Sequence, residues 1–254
     1  KIGSTLRGIG PTYRDKIGRN GIRIGDIVHP DFKSKYQVIK NEHLKLIDFL
    51  GYTDFDIQTL DAEFYEACEF LKSFTFVDTE YLVNEKMKTE KILAEGAQGS
   101  MLDIDFGSYP FVTSSNTISG GVCNGLGIAP QHIGRVHGIF KAYCTRVGSG
   151  PFPTELMDST GEAMRKEGNE FGSTTGRPRR CGWLDLPALK YSIMINGVTQ
   201  LFMMKADVLN IFEEIKVCTA YELPSGEQIE KLPFEINELD AKPVYKTMKG
   251  WHCS

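Results

Sequence analysis

Short apolar runs that stop at polar turns, with stretches of helical periodicity between them, constrain this chain more than any other feature. Ile92-Leu-Ala94 runs into Glu95-Gly-Ala-Gln-Gly99, and Leu201-Phe-Met-Met204 ends at Lys205-Ala-Asp207. Arg135 to Val147 reads as a strand closed by Gly148-Ser-Gly-Pro-Phe-Pro153, and Lys216 to Leu223 as one leading into the hairpin turn Pro224-Ser-Gly226. Ile22 to Val28 alternates as a strand does. Residues 3–21 are glycine-rich and basic, a loop with a short helix. Asp31 to Leu50, with apolar residues at Val38, Ile39, Leu44, Leu46, Ile47 and Leu50, predicts an amphipathic helix ended by Gly51. Residues 58–74 and 79–89 predict two more, and Leu184 to Ile195 a fourth. Strands alternating with helices predict an α/β domain with a largely parallel sheet. Residues 1–254 are read as a single such domain. A buried strand ending in a polar turn is where open α/β sheets bind ligands.

Composition narrows the classes. The 254 residues are 41% hydrophobic and 24% charged, as in a globular protein. The net charge of −4 argues against bulk attraction to nucleic acid, so an anion site here has to be a local patch. No run of 18 apolar residues is present, so no membrane span is expected. The six cysteines, at 68, 123, 144, 181, 218 and 253, form no C-x-x-C pair and fit reduced thiols in the cytoplasm better than disulfides or zinc. The chain starts at Lys1 without methionine and stops after Trp251-His-Cys-Ser254, so a fragment of a longer protein is expected.

Four motifs carry chemistry. Asn169 to Asp185 places Ser173, Thr174, Thr175 and Gly176 directly before Arg177, Arg179 and Arg180. Hydroxyls, free amides and guanidinium forks together make a loop that holds carboxylate or phosphate, and Pro178 splays the arginines on either side. Gly8-Ile-Gly-Pro11 opens a helix turn that sets Lys16 and Arg19 on one face, fit for a phosphate or simply a solvated basic helix start. Gln98 has a donor and an acceptor for a base edge or a reacting oxygen. After it, Asp103 and Asp105 can ligate Mg²⁺ or cap turns, and Val112 to Thr117 forms a phosphate cradle or helix cap. At Lys205-Ala206-Asp207, a strand-end carboxylate can accept from both N1–H and the exocyclic amine of guanine while the lysine stem lies along the ring. No dinucleotide fingerprint and no Walker A lysine loop is present.

Five of these segments, in register, closely resemble the adenylosuccinate synthetase family: G-I-G-P-x-Y-x-x-K-x-x-R at 8–19, E-G-A-Q-G at 95–99, D-I-D-x-G-x-Y-P-x-V-T-S-S-N-T at 103–117, T-R-V-G-x-G-P-F-P-T-E at 145–155 and G-N-E-F-G-x-T-T-G-R-x-R-R at 168–180. The resemblance runs through essentially all 254 residues. It implies a P-loop-NTPase-like α/β domain with a mostly parallel central sheet flanked by helices. It also implies a GTP-dependent C–N ligase that joins IMP and L-aspartate through a 6-phosphoryl intermediate, with Mg²⁺ as cofactor.

Carried over residue by residue, Thr5 and Thr113 resemble IMP phosphate contacts, and Arg19 the arginine lent to the partner subunit of a homodimer. Gln98 resembles the amide beside the 6-oxygen, and Lys16 the lysine of the family's signature around Gly8 to Arg19. Ser173, Thr174, Thr175, Gly176, Arg177 and Arg179 resemble the aspartate loop, with Arg177 also reaching IMP and Arg179 the GTP phosphates. Lys205, Ala206 and Asp207 resemble the guanine readers. The family's phosphate loop, its catalytic Asp and His and its Mg²⁺ contacts match no residue here, so no metal ligand is expected in this chain and the 254 residues alone are expected to be inactive. A non-catalytic nucleotide-binding or scaffold remnant of the same fold is the alternative reading. A nucleic-acid binder using the arginines is disfavoured by the acidic balance and the lack of an aromatic platform.

Overall fold

The computed structural model describes residues 6–172, 176–236 and 239–252. Its contacts cluster into two compact units: Gly8–Ile92, and the described residues of Lys1–Arg7 and Leu93–Ser254.

The first unit is helical: α1 (Ile9–Gly18), α2 (Phe32–Phe49), α3 (Ile57–Leu71) and α4 (Thr79–Lys86). Ile27, Phe32 and Cys68 are buried at its centre, packed by Ile22, Phe64, Tyr65, Leu71 and Phe76. Tyr36 of α2 stacks on Phe64 of α3 at 4.5 Å, and its hydroxyl and the Lys40 ammonium both reach Asp61. Asp56 starts α3 by accepting from the amides of Gln58 and Thr59. The strand expected over Ile22 to Val28 is instead a 3₁₀ turn, Ile24–Val28. Asp26 accounts for it: its carboxylate takes the Arg23 amide at 2.7 Å while its own amide bonds the Arg23 carbonyl, which closes a turn.

The second unit holds β1 (His137–Lys141), β2 (Tyr143–Arg146), β3 (Arg180–Asp185), β4 (Gln200–Met204), β5 (Glu214–Glu222), β6 (Gln228–Ile229) and β7 (Lys242–Lys249). Helices α5 (Gly121–Leu126), α6 (Ser159–Glu167) and α7 (Leu186–Asn196) accompany them. β1 and β4 pair parallel from His137–Gln200 to Lys141–Met204. In the second sheet β3 and β5 are parallel, whereas β2–β3, β5–β6 and β5–β7 are antiparallel. The α/β class holds, with ladder directions more mixed than the sequence pattern implies. One reason is that the run from Arg135 to Val147 breaks at the buried Ala142 and serves both sheets.

Tyr143, Met164, Cys181, Trp183, Val208, Leu209 and Ile215 form the main core, and Cys218, Tyr221 and Ile236 a smaller one. β3 is a buried strand where a loop running into a helix was expected. Its charged ends, Arg180 and Asp185, disguise the buried Cys181-Gly-Trp183 between them. Gly182 is required there, because a Cβ would stand 2.1 Å from the Thr154 carbonyl oxygen. Ile92-Leu-Ala94, expected to be a strand, has no regular structure: no strand among the described residues pairs with it, and Leu93 is 86% exposed.

Candidate functional site

The site grows from the C-terminal ends of β1 and β4, which lie side by side and place Lys141 and Lys205 at one edge. Between them sits Glu170, fully buried. Its carboxylate accepts from Lys141 Nζ at 2.7 and 2.8 Å, from the Tyr143 hydroxyl at 2.5 Å, from Arg179 Nη1 at 2.7 Å and from Lys205 Nζ at 3.2 Å. Lys205 Nζ also donates to the Gly168 carbonyl. Gly168 makes room for this cluster: a Cβ would lie 2.3 Å from the Tyr143 hydroxyl. Burial by itself raises a carboxyl's pKa, but hydrogen bonds from Lys141, Tyr143 and Arg179 outweigh it and hold Glu170 at about 2. Burial pushes the Tyr143 phenol up and the Lys141 ammonium down. Three cations on one carboxylate leave a local positive excess, the patch an acidic chain needs in order to take an anion.

The arginine stretch folds back as a narrow hairpin. Arg179 N donates to Glu170 O at 2.9 Å, Gly172 N to Arg177 O at 2.8 Å and Gly176 N to Gly172 O at 2.7 Å, with Phe171 bridged to Pro178. Gly176 takes φ +63°, and Arg177 is exposed. Ser173, Thr174 and Thr175 lie outside the described residues, as does Thr5. Arg180, read with the anion-holding forks, is committed elsewhere: it grips both oxygens of Glu155 and donates to the carbonyls of Gly148 and Gly150.

A second polar segment is pinned by Asp103. One of its oxygens accepts from the amides of Asp105 and Phe106, the other from those of Thr117 and Ile118. Burial opposes ionisation of Asp103, yet these four amides hold its carboxyl below the ordinary range. Of the two readings of this pair, turn-capping describes Asp103, and Asp105 bonds Asn116. Among the described residues no group of three His, Cys, Asp or Glu side chains is placed to hold a metal. Thr113 is fixed through its amide to the Leu102 carbonyl, and Thr117 donates to the Gly99 carbonyl, next to an exposed Gln98. Asn196 of α7 ties the segment down by bonding Ser100 and Ser119.

Six non-glycine residues among those described take positive φ, and three of them, Arg19 (66°), Gln98 (62°) and Lys205 (58°), are ones the sequence singles out. Such backbone strain concentrates at functional sites. Lys16 and Arg19 are exposed on and beside α1 in the helical unit. Gln98, Thr113, Gly176, Arg177, Arg179, Lys205, Ala206 and Asp207 all fall in the other unit, where Arg179 and Lys205 meet on Glu170. Asp207 is exposed in the first turn of the 3₁₀ helix Asp207–Ile211, and the Ala206 carbonyl accepts from Trp251 Nε1. Sequence reasoning missed Glu170, Lys141 and Tyr143. The one available signal was an acidic residue standing alone in a basic motif, at Asn169-Glu-Phe171.

A family model for adenylosuccinate synthetase matches residues 1–254. The chain is 61% identical over 253 residues to the adenylosuccinate synthetase of Cytophaga hutchinsonii, covering 99% of this chain and 59% of that protein. To that of Bacteroides thetaiotaomicron it is 58% identical over 252 residues, covering 99% and 59%. The structure of fully ligated adenylosuccinate synthetase from Plasmodium falciparum matches with a TM-score of 0.91 at 42% identity, covering 99% of this chain and 60% of that one. The chain spans about 60% of the length of the curated relatives it matches. Family model, sequence relatives and fold agree, and the chain belongs to the adenylosuccinate synthetase family.

Proposed function

We propose that the full-length protein is a GTP-dependent C–N ligase of AMP synthesis in the cytoplasm, converting IMP and L-aspartate to adenylosuccinate. The observation that carries this reading is the electropositive cluster in which Arg179 and Lys205 converge on Glu170 at the strand ends. In the first step the IMP 6-oxygen takes the γ-phosphoryl group as its bond to GDP breaks. In the second the aspartate amine attacks C6, and inorganic phosphate leaves with the 6-oxygen. Phosphoryl transfer depends chiefly on positioning and charge stabilisation, and guanidinium forks and oriented amides supply both.

Arg179 serves the GTP phosphates and, with Arg177 and the Ser173 to Gly176 loop, the aspartate. Arg177 also reaches IMP, Gln98 stands at the 6-oxygen, and Thr5 and Thr113 take the IMP phosphate. Lys205, Ala206 and Asp207 read guanine. Lys16 supports the same chemistry, and Arg19 enters the IMP site of a second subunit, so the working form is a homodimer. The unpaired thiols of Cys68, Cys123, Cys144, Cys181 and Cys218 support a reducing compartment. Bound Mg²⁺ neutralises triphosphate charge in such reactions. Asp103 does not fit that ion, since backbone amides occupy both its oxygens.

The test is an assay of the full-length protein beside the 254-residue chain. GTP-, IMP- and aspartate-dependent adenylosuccinate formation is expected from the first and not from the second; an inactive full-length protein overturns the reading. Arg177→Lys keeps the charge but loses the fork, and is expected to raise the aspartate KM about tenfold or more. Unchanged aspartate saturation removes Arg177 from its role.

A further inference from the structure

Glu170 touches no substrate in the scheme above, yet four side chains converge on it. Lys141, in contact with both its oxygens, already neutralises it, and the Tyr143 hydroxyl adds a third hydrogen bond. A buried carboxylate with a purely structural task is satisfied by such a set. Arg179 and Lys205 bring two further cations, and they are the two side chains assigned to opposite ends of GTP. Arg179 spends one terminal nitrogen on Glu170 Oε2, which leaves other donors of its planar fork for a phosphate. Lys205 reaches Oε1 and the Gly168 carbonyl from a left-handed backbone at φ 58°. Both side chains remain partly open to solvent, at 28% and 38%. Glu170 therefore holds the phosphate-facing and guanine-facing cations at a fixed separation. Its own backbone adds to this, because its carbonyl oxygen accepts the Arg179 amide.

We infer that Glu170 is a positioning residue that sets the spacing between the phosphate contact and the purine contact, and so tunes affinity and selectivity for GTP. This rests on the GTP-dependent reading and deepens it. The two cations act on the nucleotide; Glu170 acts through them.

The experiment measures steady-state kinetics of full-length wild type, Glu170→Gln and Tyr143→Phe, with GTP and with ITP, which lacks the exocyclic amine. In Glu170→Gln the GTP KM is expected to rise about tenfold and the aspartate KM severalfold through Arg179, with the IMP KM moving less than about twofold. The preference for GTP over ITP narrows as Lys205 and Asp207 drift from the base. Tyr143→Phe keeps the charge and removes one hydrogen bond, and is expected to raise the GTP KM about threefold, which provides the test if Glu170→Gln does not fold. Wild type without GTP-dependent turnover sinks the functional reading, and this inference falls with it. Active wild type with an unchanged GTP KM and GTP/ITP preference in the folded variants, whatever happens to kcat or Tm, overturns the role of Glu170 alone.

Discussion

Asp103 holds backbone where a metal ligand was one of the options, and the difference is measurable. A carboxylate that accepts four amides replaces the water those amides would otherwise bind. Removing it leaves several donors without a partner in a half-buried segment. Asp103→Ala is expected to destabilise the full-length protein by about 3 kcal/mol, seen as a lower urea midpoint. It also loosens the stretch that carries Thr113, so the IMP KM rises. The Mg²⁺ concentration needed for half-maximal activity should stay where it was. A shift there with IMP binding intact returns Asp103 to the metal-ligand reading.

Elements that announce themselves by a long period were legible in the sequence. The helix expected from Asp31 to Leu50 is α2, Phe32–Phe49, a run of 18 residues without proline or glycine that Gly51, at φ 67°, brings to an end. β4 lies where its apolar run and the Lys205-Ala-Asp207 turn put it. Failures came where one side chain overrode the pattern or where partners came from far along the chain. Asp26 turned an alternating run into a 3₁₀ turn, and β3 hid behind its own charged ends. The arginine motif was legible as chemistry, but its hairpin shape depends on Glu170, whose partners stand 9 to 35 residues away. That dependence gives the hairpin an acid limit. The Glu170 carboxyl titrates at about 2 in the fold against an ordinary 4.5, so its contribution is complete above pH 4.5 and is lost as pH falls from there towards 2. The amount at stake is on the order of 3 kcal/mol. Amide exchange at Gly172 and Arg179, which close the hairpin, should therefore speed up across that window relative to exchange in α2. Protection that stays level from pH 4.5 to 2.5 contradicts it.

At the scale of the whole molecule, the proposed homodimer divides one reaction between its subunits. The residues assigned to IMP fall in two compact units: Arg19 in the helical one, Gln98, Thr113 and Arg177 in the other. Arg19 is exposed just past α1 at φ 66°, its backbone amide bonded to the carbonyls of Asp15 and Lys16, which fixes the backbone and leaves the side chain to project. An arginine lent across a two-fold axis makes each site depend on both chains, and that dependence has an arithmetic consequence. Take two variants, Arg19→Leu and Gln98→Ala, each nearly inactive as a homodimer. After subunit exchange about half of the dimers are mixed, and in these one of the two sites has both its own Gln98 and a borrowed Arg19, so activity should recover to about a quarter of wild type. The recovery should track the rate of exchange and vanish when mixing is prevented by a crosslink within each homodimer. If Arg19 serves its own subunit instead, every site in the mixed dimer lacks one of the two side chains, and the mixture stays as inactive as its parts.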